Sequence, residues 1–194
     1  MHIHDLNTYQ ELHPTTTASS NSIGVIVEEN TQLHIVSCTL HNCTTNSAIY
    51  VDRGSIVVDC CDISSNEIGI ALVGNVNCEV ICSTITNNNI GISCETESEA
   101  NTCRFIVQRS NISDNLTYGI FANHNIRHMN IFDNYMRENH LSAIRIGEFI
   151  HSQYPHESMI DNIIHRKDNT PKEADLRLLT YFTGEKTYHF DQLE

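Results

Sequence analysis

Carboxylates and imidazoles are the side chains here with the clearest capacity for ligand chemistry. Two close carboxylates supply the acid and base of sugar cleavage, or cradle a divalent cation. Glu28 and Asp52 are the candidates for such a pair, with Tyr50, Arg53, His124 or Arg145 as the assisting groups. The chain also carries 12 histidines. Of these, His124, His128, His151 and His156 form the group to consider for zinc or copper, both of which accept imidazole nitrogen. His2 and His4 open the chain, and Glu95, Glu97 and Glu99 offer oxygens to calcium without the ligand order of a dedicated loop. No histidine spacing is diagnostic, and no Cys-x-x-Cys pairs with another at zinc-finger spacing. The plainer reading makes the histidines polar loop residues, and Glu28 and Asp52 solvated charges at strand ends. No resident cofactor is expected, and a divalent cation is the one the residues would admit.

What positions these groups is a repeat. Ile68-Gly69-Ile70-Ala71-Leu72 is followed by Val80, Ser83, Ile85 and Asn88, and the pattern returns at Ile90-Gly91-Ile92-Ser93-Cys94 with Val107, Ser110, Ile112 and Asn115. One coil earlier it reads Ser47-Ala48-Ile49-Tyr50-Val51, then Val58, Cys61, Ile63 and Asn66. A recurrence of this length marks a solenoid. Within each coil the apolar positions alternate with period two, the signature of strand. Three short strands per coil predict an all-β, right-handed parallel β-helix of about six coils over residues 22–169. Stacked coils lie about 4.8 Å apart, so like positions form columns. The column Cys38, Cys61, Ser83, Ser110, Asn134, Asn162 falls at the bend between second and third strands, where asparagine is expected to satisfy the backbone and the two cysteines read as small core fillers. Cys60 and Cys82 also stack, near enough for a disulfide.

The flanks leave the repeat. Residues 1–21 read as an N-terminal segment or cap, with Leu6, Tyr9 and Leu12 on one face of a short helix begun at Asp5 and ended by Pro14. Residues 170–194 read as a C-terminal capping helix and tail, because Thr170-Pro171-Lys172-Glu173 is a capping box with proline at the first helical position. Length varies between first and second strands, where Glu95–Thr102 and Gly147–Glu157 are insertions. Insertions clustered on one face of a solenoid mark a binding face.

A formal charge of −13 sets the chain against nucleic acid and anionic membrane, which carry dense negative charge of their own. No apolar run approaches the roughly 20 residues of a membrane span. No basic region followed by an apolar stretch opens the chain, so with Met1 as the natural start a cytoplasmic location is expected, with the 8 cysteines as thiols.

The Gly-Ile openings, together with Asn111-Ile112-Ser113-Asp114-Asn115 and Asn134-Tyr135-Met136-Arg137-Glu138-Asn139, resemble the β-helix repeats of the pectin-lyase-like superfamily, closest to the NosD-like and carbohydrate-binding or sugar-hydrolase type. The resemblance covers about three quarters of the chain. It implies the parallel β-helix, and a glycan lying along the first-strand face in those members that are enzymes. Similar repeats occur in alginate epimerases and in F-box substrate adaptors. The Tyr-Gly-x-Asp-Pro-His signature of the epimerases is missing: Tyr118-Gly119-Ile120-Phe121 lacks its Asp and His.

Alternation assigns Ile26, Tyr50, Ala71, Ser93, Phe121 and Arg145 to one outward row of the first strand. Glu28, Asp52, Val73 and Glu95 belong to the next. Arg145, Phe121 and His124 stand about 14 Å from the two carboxylates, three coils away, so no compact acid–base cluster results. The expected function is therefore a non-catalytic recognition scaffold that binds a protein partner, its own copies or a glycan along the first-strand face. The alternative is a polysaccharide lyase, epimerase or hydrolase using Asp52 or Glu28. The ligand is expected in the corner between first and second strands, bordered by Tyr50, Phe121 and Arg145, with His124, His151, Tyr154 and His156 on its rim.

Overall fold

The computed structural model describes residues 2–3, 10–12, 24–95, 103–122, 126–146, 158–160 and 163–165. All regular structure among them is strand. The strands form three parallel sheets, two of 7 strands and one of 6, wound into a parallel β-solenoid of about 5 turns. Six strand triplets, from Val25–Val27 to Ile163–His165, correspond to the six expected coils. The segment for which a helical cap was expected, 170–194, lies outside the described residues.

Register follows the repeat. Val25, Ile49, Ile70, Ile92, Ile120 and Ile144 stand in line along the first sheet. Ile35, Val58, Val80, Val107 and Ile131 do so along the second, and Leu40, Ile63, Ile85 and Ile112 along the third. These columns are buried and make one continuous core. Burying such an aliphatic side chain stabilises by roughly 1.5–3 kcal/mol, and a slip of one residue would turn a whole strand's column to solvent. The glycines that open the middle coils, Gly69, Gly91 and Gly119, have a steric cause. A Cβ added at Gly91 would lie 2.4 Å from the carbonyl oxygen of Gly119 in the next coil.

The N-terminal segment departs from its expected form. His2–Ile3 pairs with Ile26 and Val27, and Gln10–Leu12 pairs with Leu33, His34 and Ile35. A helical face reaching Leu12 is therefore not formed. The segment adds a strand to each of two sheets, supplying partners to edge backbone groups that a short helix would leave unpaired.

Two of the three corners share one construction. Every described turn from second to third sheet has two residues, the first with positive φ: Ser37, Cys60, Cys82, Arg109 and Asp133, at 47–58°. The second residue extends a ladder. The Cys38 amide donates to Cys61 Sγ (3.4 Å), that of Cys61 to Ser83 Oγ (3.1 Å), that of Ser83 to Ser110 Oγ (3.1 Å) and that of Ser110 to Asn134 Oδ1 (2.9 Å). Cys38 and Cys61, expected to be plain filler, thus also hydrogen-bond between coils.

The asparagine ladder proper stands at the other end of the third strand. Asn42, Ser65, Asn87, Asp114 and Glu138 take positive φ there, and each is followed by Cys43, Asn66, Asn88, Asn115 or Asn139. Asn88 Oδ1 accepts from the Asn66 amide (3.0 Å) and from Asn66 Nδ2 (2.9 Å). Asn88 Nδ2 donates to the Ile63 carbonyl (3.1 Å) and to Asn115 Oδ1 (3.2 Å). The same bonds recur at Asn115 and Asn139. An amide has two donors and two acceptor sites, and Asn88 uses all of them between coils while fully buried.

Asn88→Ala leaves the Asn66 N–H without its acceptor and takes a second donor from the Ile63 carbonyl. At about 1–3 kcal/mol for an unsatisfied buried group, chemical denaturation should show a loss of about 2 kcal/mol; a loss under about 1 kcal/mol would discount the ladder. A second prediction concerns pH. Burial pushes the Cys61 thiol up to about 11 from an ordinary 9.0. The folded chain holds this proton more tightly than the unfolded one, so the stabilisation is complete below pH 9.0 and is lost as pH rises towards 11. Melting temperature should fall across that window, and fall less in Cys61→Ser, which keeps the ladder with the residue type of Ser83 and Ser110.

Candidate functional site

The first sheet carries the row Ile26, Tyr50, Ala71, Ser93, Phe121, Arg145 in register, as alternation predicts. Its C-terminal half holds a compact cluster. Tyr118 and Phe121 stack with ring centroids 5.4 Å apart and 29° between planes. The Arg145 guanidinium carbon lies 5.4 Å from the centroid of the Tyr118 ring, and Arg145 Nη1 donates to the Tyr118 hydroxyl. A cation within about 6 Å of an aromatic face is attracted by the ring quadrupole, so Tyr118 orients Arg145 from both its face and its hydroxyl. Both rings are half-buried and Arg145 is exposed.

Strict alternation counted back from Phe121 assigns Tyr118 to the interior. The glycine column breaks the alternation. Gly119 lies flush against the coil beyond it, where a Cβ would meet the Ala143 carbonyl oxygen at 2.5 Å. The residue before each of these glycines, Ile68, Ile90 or Tyr118, is left half-exposed. The recurrence of glycine directly after that position is the sequence signal that would have identified Tyr118.

Tyr50 is not part of this cluster. Ala71 and Ser93 stand between it and Phe121 in the row, both buried, and the three coil spacings amount to about 14 Å. Small side chains between two aromatic residues make a low floor along the face. At the Tyr50 end, Arg53 Nε and Nη2 donate to the two Asp52 carboxylate oxygens at 2.9 and 3.1 Å, and Arg53 Nη1 lies 3.4 Å from Glu29 Oε2. The Asp52 hydrogen bond, with the charges of Asp52 and Glu29, pushes the Arg53 pKa up. Both Asp52 oxygens are thus engaged by a guanidinium. Glu28 falls one residue past the strand Val25–Val27, in a turn whose carbonyl accepts from the Thr31 amide (3.1 Å). A carboxylate held at both oxygens by a guanidinium is fixed in orientation, with its hydrogen-bonding capacity directed to that partner.

His124, His151, Tyr154 and His156 lie outside the described residues. His128 belongs to the strand Ile126–Phe132, in register with Arg104. The two insertions do share a corner: residues 96–102 and 147–157 each join a first-sheet strand to a second-sheet strand. The second sheet has its own open groove of about 180 Å³, lined among others by Val57, Glu79, Arg104 and Ile106.

No cysteine is in a disulfide, Cys60 and Cys82 included. Cys94 and Cys103 are buried with their sulfurs 2.8 Å apart at the two ends of residues 96–102. Their mutual hydrogen bond and burial push the Cys94 thiol up. Outside the core, Cys60 stands beside Asp59 and Cys82, and its hydrogen bond to Asp59 is the main cause raising its thiol pKa. No family model, curated protein or solved structure matches the chain.

The Asp52–Arg53 pair is solvent-screened, and such pairs contribute little to stability. Asp52→Asn should leave the denaturation midpoint nearly unchanged; a clear drop in the midpoint would make the pair a structural element of the corner.

Proposed function

We propose that this chain is a pectin-lyase-like repeat solenoid acting as a non-catalytic recognition scaffold, which binds a glycan or a protein partner along its first-sheet face. The observation that carries the reading is the Tyr118–Phe121–Arg145 cluster. An aromatic face packs against the apolar side of a sugar ring or an aliphatic side chain. A guanidinium held at its edge grips a carboxylate by two parallel hydrogen bonds, more strongly than a neutral donor would. The ligand class that suits both is one with a flat apolar face and a carboxylate, such as a uronate-bearing glycan or an acidic protein loop. The low floor over Ala71 and Ser93 lets an extended ligand continue towards Tyr50. The bidentate engagement of Asp52 by Arg53, about 14 Å away, supports binding over acid–base catalysis.

The test is binding to an array of acidic and neutral glycans, with affinity capture of protein partners and sedimentation for self-association alongside. Phe121→Ala with Arg145→Ala should weaken binding by more than about tenfold, since an aromatic contact and a charge-assisted bond together exceed about 1.4 kcal/mol. His41→Ala with Arg137→Ala, on the third sheet, removes the same charge and should leave binding intact. If the third-sheet pair does the damage, or turnover of a glycan is lost in Asp52→Asn, the reading fails.

A further inference from the structure

On the outer bend between second and third sheets, Asp59, Cys60 and Cys82 bring one carboxylate oxygen and two sulfurs within 4.8 Å of one another. The fold builds this convergence. Asp59 ends the strand Ser55–Asp59, and Cys60 and Cys82 occupy the same positive-φ turn position in successive coils, at φ 51° and 47°. The turns are fixed on both sides: the Cys60 amide donates to the Ile81 carbonyl (3.0 Å) and the Cys82 amide to the Gln108 carbonyl (3.1 Å), while the following residues, Cys61 and Ser83, are members of the buried ladder.

Sulfur is out of place here by the usual rule. Cysteine is among the most buried residue types, and the other six cysteines of this chain are buried. The same turn position in other coils holds Ser37, Arg109 and Asp133, so the bend itself does not demand a thiol. Two exposed thiols on adjacent coils with a carboxylate beside them concentrate soft and anionic donors at one point.

We propose that Asp59, Cys60 and Cys82 form a surface site for a thiophilic divalent cation of the zinc class. Two thiolates and one carboxylate supply three ligands, and the fourth tetrahedral position faces solvent. Zinc–sulfur and zinc–oxygen lengths of about 2.3 and 2.1 Å place tetrahedral ligand atoms about 3.5–3.8 Å apart. Donors already within 4.8 Å reach that arrangement by side-chain rotation on a fixed backbone. The buried thiols are poorer ligands: Cys38 and Cys61 are engaged in the ladder, and Cys94 and Cys103 are sealed in the core. The site stands apart from the first-sheet aromatic cluster, so it is independent of the function proposed above.

The test is titration of the full chain with cadmium as the zinc surrogate, under a phosphine reductant, following the ultraviolet thiolate-to-metal charge-transfer band, with zinc as competitor. One zinc-displaceable equivalent per chain is expected. Cys60→Ser and Cys82→Ser should each weaken cadmium binding by more than about tenfold, a loss that even a change outside the ligand set can reach. Asp59→Asn should weaken it less, and Cys94→Ser should leave it unchanged. Cys60→Gly separates metal loss from misfolding, because glycine relieves the left-handed turn: it should lose cadmium while melting no lower than wild type. The proposal is overturned if the band persists in the Cys60→Ser, Cys82→Ser double variant. It is equally overturned if wild type gives no band while both thiols react freely with a thiol reagent.

Discussion

Asn88 hydrogen-bonds at every capacity of its amide, and every bond goes to another coil. The remaining architecture depends on this kind of contact. A parallel solenoid pairs its backbone groups along the sheets, but at two corners the residue after the left-handed one is buried, where sheet pairing is interrupted and water is excluded. An unpaired amide there costs about as much as several methylene groups of burial gain. Side chains that reach from coil to coil remove that cost at two corners, with asparagine at one and a graded series of cysteine, serine and asparagine at the other. The grading shows that the corner requires an acceptor for the amide below and a small donor for a nearby carbonyl, and that more than one chemistry meets it.

The third corner, between first and second sheets, has no such ladder among the described residues. Here the connections range from the two residues Arg53-Gly54 to the 11 between Ile146 and Ser158. Constraint and variation are thus divided by position. Two corners hold the coils in register, and the third is released to carry length and chemistry. The aromatic cluster and the Asp52–Arg53 pair both belong to the sheet that opens onto this released corner.

Much of the fold was legible in the sequence because stacking forces like residues into columns. The Ile49–Ile70–Ile92–Ile120 line, the outward row through Tyr50 and Phe121, and the corner that takes insertions all follow from period and spacing. Three things were not legible from period alone. The asparagine ladder was attributed to the second-to-third bend, since hydropathy cannot say which corner's amides lack partners. Tyr118 was missed because a contact between glycine and the next coil's backbone overrides simple alternation. The strands His2–Ile3 and Gln10–Leu12 escaped because two- and three-residue strands are too short to show a period. Left-handed turn residues were hidden for a related reason: Arg109, Glu138 and Cys60 are not the glycine or asparagine that usually announce positive φ, and the packing of neighbouring coils supports the strain locally.

The amide bonds of the two ladders share one direction. The backbone amide of each ladder residue donates to the side chain at the same position in the coil that follows, from Cys38 and Cys43 to the last acceptors Asn134 and Asn139. The stack is therefore polar, like a polymer with distinct head and tail, and each coil carries a matching socket and plug. A duplicated or deleted stretch of coding sequence preserves that match only if it spans a whole coil, wherever the cut falls within it. A change of half a coil would set donor against donor at two corners together. The single coil is thus the smallest increment by which such a protein can be lengthened or shortened through inheritance and still close its internal bonds.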